Sequence, residues 1–538
     1  MAETVFGIDL GTTYSAIANI NDLGQPEVIL NREGDYTTPS VVFFETDTNY
    51  VVGKEAKNGA VVNRDNTVSL IKRHMGTDLT YSFFGQSYRP ETISAVILKD
   101  LVEYARETTG IDSSKVVITV PAYFGLAEKE ATRQAGVIAG LDVVGIVTEP
   151  VAAALSVGIK GEEPKTLFVY DLGGGTFDCT IMKVSKERVS VVVIDGNRRL
   201  GGADWDAALF DLVAEKFKAQ AGLSEDPTED EDFAQRLLTE VEACKKTLSR
   251  REKASIALSH GDVREMVEIT REEFEQATAS LVDQTIMIVQ RTLESARAKE
   301  PGLVLDEVLL VGGSGRMPMI KTSLIDRLGW TVRETELDLA VAKGAAIYGQ
   351  GDPLPEPVID VDPEDSEPGV KPAEQPEKVI QIGGSTVTIT NVLSRSIGVK
   401  FIRDTPGGTN EEYIGFLAHA NESLPLEAAM EAATYLDGQT QVEIHIFEQN
   451  GERESELISD NREVTPDGGA VITGLPRLPK GSPIHFSLSI NSEGLSSLSA
   501  YEPATNQQLK ISVNLSVMQK EDVEVAAGLV SGLSRRDD

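Results

Sequence analysis

Apolar residues follow two alternating patterns over the first 350 residues of the chain. Short β-branched runs such as Val5–Ile8 and Val308–Val311 are typical of strands buried on both faces. Longer segments with apolar residues three and four positions apart predict helices. This strand–helix alternation indicates an α/β architecture. The other predicted strands are Val116–Val120 and Leu167–Val169, and the predicted helices are Leu209–Ala221, Phe233–Leu248 and Phe274–Ala296.

Beyond residue 378 the apolar period changes to two. Val442–Ile446, Phe486–Ile490 and Ile511–Val517 alternate apolar and polar residues, as strands with one buried face do. Turn signals at Asp467–Gly469 and Asn491–Gly494 fall beside these runs. The pattern predicts an all-β sandwich over residues 379–518. The tail, residues 519–538, is expected to be a short helix or disordered.

A proline-rich acidic segment, residues 351–378, joins the two regions. Seven of its 28 residues are proline and nine are Asp or Glu. Because proline interrupts helices and sheet ladders and like charges repel, this segment is predicted to be an extended, semi-rigid linker. Residues 1–350 are then expected to form the α/β domain.

The chain of 538 residues is strongly acidic, with 85 Asp and Glu against 50 Lys and Arg and a net charge of −35. This balance argues against nucleic acid or an anionic membrane as the main partner. Two cysteines and five scattered histidines provide neither a disulfide framework nor a zinc site. No apolar run of about 18 residues and no signal-peptide pattern is present, so a cytoplasmic protein is expected.

Two glycine loops carry candidate chemistry. Asp9–Thr13 and Asp171–Thr176 each follow a predicted strand, and their similarity is a weak internal repeat that suggests two related subdomains. Glycine backbone N–H groups and threonine hydroxyls can hold phosphate oxygens. A carboxylate next to phosphate can hold a hydrated Mg²⁺ that bridges the two. Two such loops would hold a polyphosphate from opposite sides.

A third glycine loop, Gly312–Arg316, follows the strand Val308–Val311 and precedes a helix that starts at Met317–Pro318. Its backbone could pack against a base or ribose. One such loop alone is more often a plain turn, but three loops at strand ends favour a nucleotide site. The sequence has no P-loop, no G-x-G-x-x-G motif and no kinase catalytic loop.

These segments resemble the ATPase-domain motifs of the 70-kDa heat-shock chaperone family. The resemblance covers residues 4–350 densely and includes Gly7–Thr13, Val169–Asp178 and Val311–Ser314. It implies an actin-like fold, in which two lobes with ribonuclease-H-like repeats enclose a cleft, and a slow ATPase that uses ATP, ADP and Mg²⁺. Further matching blocks are Glu33–Ser40, Asn66–Arg73, Ile118–Phe124 and Thr148–Leu155.

The resemblance also implies catalytic roles for single residues. Asp9 and Asp171 correspond to the carboxylates that hold Mg²⁺ through water. Glu149 corresponds to the carboxylate near the attacking water, and Lys72 to the lysine at the γ-phosphate. Asp178 resembles an acid that assists water or an alkali cation such as K⁺.

The other implied site residues contact the nucleotide. Glu242, Lys245 and Ser249 stand at i, i+3 and i+7 on one helix face, which is the spacing of the family's adenosine contacts. Taken without the glycine loops, these three polar residues would be interpreted as a solvent-exposed helix face. The implied phosphate-loop residues are Gly11, Thr12, Thr13 and Tyr14, with Gly173, Gly174, Gly175 and the catalytic Thr176; the nucleoside side adds Gly312, Gly313, Ser314, Gly315, Arg316 and Asp338.

The C-terminal region resembles the family's peptide-binding β-domain more weakly. Asn391–Val399 and Val442–Phe447 match parts of that domain, which binds extended apolar polypeptide segments through strand-like hydrogen bonds and side-chain pockets. Leu424, Met430 and Phe447 would line such a groove. These three residues are at least as consistent with ordinary positions in the core of the sandwich.

Three features depart from the family pattern. Only 21 residues follow Val517, so the helical lid is expected to be missing. The acidic linker replaces a short apolar docking segment, of which Val358–Ile359 is a remnant. The family implies a J-domain cochaperone and a nucleotide exchange factor as partners, but Gly145 replaces the basic residue used for J-domain docking. Pro121 matches the interdomain switch proline, and Lys129 replaces the family's relay arginine.

Two functions remain open at this point. In the first, an ATP-dependent chaperone binds extended apolar segments according to its nucleotide state. In the alternative, an ATP-switched adaptor binds one dedicated partner through the β-domain and the acidic linker. A small-molecule kinase on the same fold is disfavoured, because no sugar-site signal is readable in the sequence.

Overall fold

The structure is a computed structural model. It describes residues 4–157, 164–334, 339–351, 376–382, 385–405, 410–465, 470–502, 507–509 and 518–536. Most of the predicted linker, including Val358–Ile359, lies outside these residues, as does the predicted strand Ile511–Val517.

The first lobe, residues 4–157, is a mixed sheet with helices packed against it. Its elements are β1 (Phe6–Asp9), β2 (Tyr14–Ile20), β3 (Pro26–Val28), β4 (Thr38–Pro39), β5 (Val42–Phe44), β6 (Asn49–Val52), α1 (Lys54–Gly59), β7 (Thr67–Val68), β8 (Tyr81–Phe83), β9 (Gln86–Tyr88), α2 (Pro90–Thr109), β10 (Lys115–Val120), α3 (Leu126–Ile138), β11 (Asp142–Thr148) and α4 (Glu149–Val157).

The second lobe has a longer set of elements over residues 164–351. They are β12 (Lys165–Leu172), β13 (Phe177–Val184), β14 (Arg188–Asn197), α5 (Gly202–Ala221), α6 (Glu231–Arg250), β15 (Lys253–His260), β16 (Val263–Thr270), α7 (Arg271–Ala277), α8 (Ala279–Lys299), β17 (Glu307–Val311), α9 (Pro318–Leu328), β18 (Val332–Glu334) and α10 (Ala340–Tyr348).

The two lobes repeat one topology. In the first lobe β1, β2 and β3 run antiparallel, while β10 and β11 are parallel to β1, which gives the order β11-β10-β1-β2-β3. In the second lobe β12, β13 and β14 run antiparallel, and β17 and β18 are parallel to β12 in the order β18-β17-β12-β13-β14. The repeat suggested by two short glycine loops therefore extends to the whole sheet of each lobe.

The remaining elements follow the described end of α10. They are β19 (Lys378–Ile382), β20 (Ser385–Thr390), β21 (Ile397–Asp404), β22 (Asn410–Ala418), β23 (Leu426–Ala433), β24 (Gln439–Ile444), β25 (Ile446–Gln449), β26 (Asn461–Glu463), β27 (Ala470–Leu478), β28 (Pro483–Ile490), β29 (Ser496–Glu502), β30 (Gln507–Leu509), α11 (Lys520–Gly532) and β31 (Ser534–Arg535).

The first two of these strands belong to the second lobe. β20 pairs in parallel with β14, and β19 pairs with β20, so both strands extend the second-lobe sheet. Ile380, Val387 and Ile389 are buried in the core under that sheet. The sequence placed these residues in the β-domain, because period-two alternation indicates a strand without indicating its partner.

Strands β21 to β30 form the β-domain. Its sheets have the orders β22-β21-β25-β26, β23-β28-β29-β30 and β24-β27, and inward-facing side chains such as Ile397, Ile444 and Phe486 share one core. Leu126 and Ala127 of α3 also join this core, so the β-domain packs directly on the first lobe.

Two predicted elements are interrupted in the structure. The predicted helix Phe274–Ala296 is divided between α7 and α8 at Thr278, whose hydroxyl donates to the Phe274 carbonyl at 2.8 Å and competes with the helical backbone. The predicted strand Val442–Ile446 is divided at His445. There the chain passes from the sheet of β24 to the sheet of β25.

The C-terminal tail is ordered against the first lobe. Ala526, Val530 and Leu533 are buried in the first-lobe core together with residues of α2 and α3. β31 pairs in parallel with β6. Of the two outcomes expected for the tail, the helix is the one found.

Candidate functional site

A cleft of about 430 Å³ separates the two lobes. The strands β1 and β12 end at its floor, and each is followed by one of the glycine loops. The cleft brings together most of the residues that the sequence singled out: Asp9, Gly11, Thr12, Thr13, Tyr14, Lys72, Glu149, Asp171, Gly173, Gly174, Thr176, Glu242, Lys245, Ser249, Gly312, Gly313, Ser314 and Arg316.

Three predicted residues are buried next to the residues that line the cleft. Gly175 faces Thr12, and its carbonyl accepts a hydrogen bond from Arg73. Asp178 is buried beyond the cleft lining, and Gly315 packs against Leu310 on the rear of the third loop. Asp338 lies outside the described residues.

The floor of the cleft is a cluster of carboxylates. Asp171 and Asp178 are almost completely buried. Burial, then the charge of Glu149, raises the pKa of Asp171 well above its ordinary range and raises the pKa of Asp178 to about 8. Asp9 adds to the repulsion on Asp171, whereas Lys72 opposes it. The cluster therefore attracts cations.

Hydrogen bonds hold this floor in place. The Lys72 Nζ donates to Glu149 Oε1 at 2.7 Å, and Lys72 is only 3% exposed. The Thr119 hydroxyl donates to Asp9 Oδ1 at 3.1 Å, and the backbone N–H of Tyr123 donates to Asp178 Oδ1 at 2.7 Å. Thr119 and Tyr123 come from the end of β10 and the loop after it, so this part of the first lobe holds Asp9 and Asp178 in position.

Lys72 comes from a 3₁₀ turn, Ile71–His74, that follows Leu70. Leu70 has a φ of 57°, a left-handed conformation that leucine rarely adopts. The turn directs Lys72 into the cleft, while the neighbouring Arg73 reaches Asp204 of the other lobe at 2.5 Å.

The two phosphate loops approach each other closely across the cleft. A Cβ atom added to Gly174 would lie 2.4 Å from the Thr13 hydroxyl, and one added to Gly175 would lie 2.4 Å from Thr12. Only glycine fits at these two positions while the lobes are this close. The threonine hydroxyls and backbone N–H groups are thus gathered in the small volume that a polyphosphate needs.

The predicted adenosine stripe lies on α6 and faces the cleft. Lys245 Nζ donates to Asp206 Oδ2 at 2.7 Å and to the Gly202 carbonyl at 2.8 Å. The Tyr14 hydroxyl donates to Glu242 Oε1 at 3.1 Å, a contact that joins the first phosphate loop to the second lobe.

Sequence reasoning missed several residues of the cleft and its rim. Asp206 lines the cleft and holds Lys245, while Lys57 and Lys246 both contact Glu242 and the Tyr14 hydroxyl. A carboxylate one helical turn into α5 was the available signal for Asp206. Lys246 stands four positions after Glu242 on α6, a spacing at which helical side chains meet, whereas Lys57 lies on α1 and carried no such signal.

The predicted groove residues have mixed positions. Leu424 belongs to the β-domain core and Phe447 is also buried, whereas Met430 is half-buried. For Leu424 and Phe447 the structure therefore favours the core alternative.

The fold and the cleft define the class of protein: it has an actin-like, two-lobed ATPase domain followed by a β-sandwich. The family model described as "Hsp70 protein" matches residues 5–361 and 381–528. The chain belongs to the Hsp70 family. As a member, it is an ATPase and an ATP-dependent molecular chaperone of the heat-shock type.

Its relatives include chaperones named DnaK. The chain is 36% identical to the chaperone protein DnaK of Halobacterium salinarum over 521 residues, which cover 95% of this chain and 75% of the relative. It is also 36% identical to the DnaK proteins of Thermosipho melanesiensis, covering 94% and 79% of the two chains, and of Thermosipho africanus, covering 95% and 80%. Within the described residues, no helix is long and apolar enough to cross a membrane.

Proposed function

We propose that this chaperone binds ATP with Mg²⁺ between its lobes and hydrolyses it slowly with the residues on the cleft floor. The observation that carries the proposal is the contact of Lys72 with Glu149 beside Asp9 and the buried carboxylates of Asp171 and Asp178. Hydrolysis of this type depends on positioning and charge neutralisation, and needs no nucleophilic side chain.

The carboxylate floor suits a hydrated divalent cation. Burial raises the pKa of Asp171 and Asp178, and the negative charge of Glu149 raises both further, so the floor gathers acids close enough to repel one another. Asp9 and Asp171, one at the end of each lobe's first strand, would hold Mg²⁺ through water. When bound, Mg²⁺ supplies neutralisation of phosphate charge.

Side chains of the cleft then have separate roles in hydrolysis. Lys72 places a positive charge beside the γ-phosphate and holds Glu149 in one orientation. Glu149 accepts a hydrogen bond from the attacking water and orients it. Thr12, Thr13 and Thr176 donate to phosphate oxygens, while a role for Asp178 with water or K⁺ stays a prediction.

A short path of contacts links this floor to the β-domain. Asp178 accepts from the Tyr123 backbone N–H, the Arg395 guanidinium lies 4.5 Å from the centre of the Tyr123 ring, and the Ser394 hydroxyl donates to the Phe124 carbonyl at 2.8 Å. Tyr123 and Phe124 directly follow Pro121 and contact Arg395 and Ser394 of the β-domain. A nucleotide-dependent movement of this loop would therefore alter how the β-domain docks on the first lobe. Such a shift is how ATP would control the binding of unfolded, extended polypeptide segments.

Partners and location are part of the same proposal. A nucleotide exchange factor and a J-domain cochaperone are expected partners, although a Cβ atom at Gly145 would lie 3.1 Å from Glu493 of the β-domain. This position therefore faces the β-domain in the docked structure. The dedicated adaptor is not favoured, and a cytoplasmic location remains the expectation.

Steady-state ATPase assays on the full chain test the site. Lys72→Ala and Asp171→Ala should each lower turnover by at least about a hundredfold, because each removes charge that stabilises the transition state. The exposed Lys253→Ala, on β15, is the control and should turn over like wild type. Normal turnover in either cleft variant, with an unchanged melting temperature, would contradict the assigned roles. Release of a labelled apolar peptide on ATP addition, absent in Lys72→Ala, tests the coupling.

A further inference from the structure

A second pocket, of about 160 Å³, lies on the far side of Lys72 from the nucleotide cleft. Three parts of the molecule meet at it: the first lobe provides Lys72 and Arg73, the second lobe provides Arg198 and Arg199, and β26 of the β-domain provides Arg462. We call it the cationic pocket.

Positive charge exceeds negative charge in this pocket. Among the described lining residues there are five cations and one carboxylate, Glu128, which accepts from Arg198 at 2.7 Å and from Arg462 at 2.5 Å. Two further carboxylates lie outside the pocket lining but pair with cations that line it: Glu149 with Lys72, and Asp204 with Arg73. Five cations against three carboxylates leave an excess of two positive charges.

Arg199 is the cation whose charge is least compensated. Within the described residues, no acceptor lies in hydrogen-bonding reach of its guanidinium, and the side chain is exposed at the pocket. Burial, Arg199 and Arg73 together lower the pKa of the nearby His74, as a positive local field does. Guanidinium groups pair with tetrahedral oxyanions through two hydrogen bonds at once.

We propose that the cationic pocket binds a phosphate-type oxyanion, and that phosphate produced in the cleft reaches it past Lys72. The volume holds such an ion with a few waters and is too small for ATP. The second half rests on the proposed hydrolysis. Because Arg462 belongs to the β-domain, the pocket is complete only while that domain is docked.

Equilibrium dialysis of the full chain against radiolabelled inorganic phosphate, without nucleotide, tests the site. Arg199→Gln removes one charge and breaks no ion pair, and it should raise the Kd for phosphate about tenfold. Arg264→Gln is the control: it makes the same charge change at an exposed position on β16 of the same lobe and should match wild type. Absence of saturable binding in wild type, or equal affinity in Arg199→Gln, would overturn the proposal. Unchanged melting temperatures would exclude a folding effect.

Single-turnover hydrolysis, followed with a fluorescent phosphate sensor, identifies the source of the anion. If phosphate from the cleft binds in the cationic pocket before it leaves the protein, the sensor signal should lag behind ATP cleavage in wild type. The lag should be shorter in Arg199→Gln. Binding by dialysis together with an unchanged lag would assign the site to phosphate from solution and overturn the second half. If wild type cleaves no ATP, the proposed hydrolysis fails while dialysis still decides the pocket.

Discussion

Among the described residues, the β-domain and the C-terminal tail contact the ATPase lobes at two junctions that use different chemistry. At the β-domain junction, charged side chains of α3 and the β-domain are buried together. At the tail junction, α11 and β31 pack on the first lobe through apolar side chains and strand pairing.

The β-domain junction contains charges that are rarely buried. Glu128 is 3% exposed between Arg198 and Arg462, and the carboxylate of Glu448 accepts from the Leu126 backbone N–H at 2.9 Å. Lys129 is buried near Glu448 and Glu493. Pairing of buried charges only roughly offsets their desolvation. The charged pairs of this junction therefore fix an orientation while adding little net free energy, and its apolar contact comes from Leu126 and Ala127.

The tail junction gains free energy from apolar burial. Val530 and Leu533 are buried against α2 and α3, and their backbone carbonyls accept from Lys99 Nζ at 3.1 and 2.6 Å. Arg535 donates to both carboxylate oxygens of the buried Asp100. From this contrast we expect the tail to stay attached if the β-domain junction opens.

The largest expected effect is on the tail. Val530→Asp places a carboxylate in the apolar contact and should cost roughly 3 kcal/mol of tail docking. Hydrogen exchange of α11 should then lose its protection while β-domain exchange is unchanged. Val525→Asp is a matched control, because Val525 lies on the same helix and is 73% exposed. Equal protection in the two variants would contradict the tail junction.

The next effect is on the β-domain junction. Glu128→Gln keeps the side-chain shape but removes the charge between two guanidinium groups, at a cost of about 2 kcal/mol. Exchange should rise around Glu448 and Arg462 and stay low in α11. Glu107→Gln, at an exposed ion pair of α2, should change neither region. Simultaneous loosening of the tail would show that the junctions are not independent.

The smallest effect concerns pH. Burial lowers the pKa of Lys129 from 10.5 to about 8, although Glu448, Glu493 and Glu128 oppose the change. Between pH 8 and 10.5, Lys129 is more protonated when the β-domain is released than when it is docked on α3. Docking of the β-domain should therefore strengthen as the pH rises from 8 toward 10.5. The slope is at most about 1.4 kcal/mol per pH unit.

Fluorescence energy transfer between labels at exposed positions 107 and 480 would follow this docking. Lys129→Arg keeps its charge over the whole range and should remove the pH dependence. A wild-type signal that is flat from pH 8 to 10, or one that Lys129→Arg leaves unchanged, would contradict this account of Lys129.

The sequence predicted the cleft better than the contacts around it. Asp9 and Asp171 follow buried strands and precede glycine loops, so local pattern alone places them together. Arg73 and Asp204 are 131 positions apart, and no local pattern pairs one charged residue with another at that distance. The same limit explains why the tail helix could be anticipated but not its place on the first lobe.

The pairing of β20 with β14 has a consequence for the chaperone itself. β20 covers the outer edge of the second-lobe sheet, with Thr388 donating its N–H to the Glu187 carbonyl at 2.8 Å. Whenever β20 separates from β14, that edge presents unpaired backbone N–H and C=O groups, which is how a strand of another molecule is recruited. In that state the protein would have, on its own surface, an exposed strand edge of the kind that promotes aggregation.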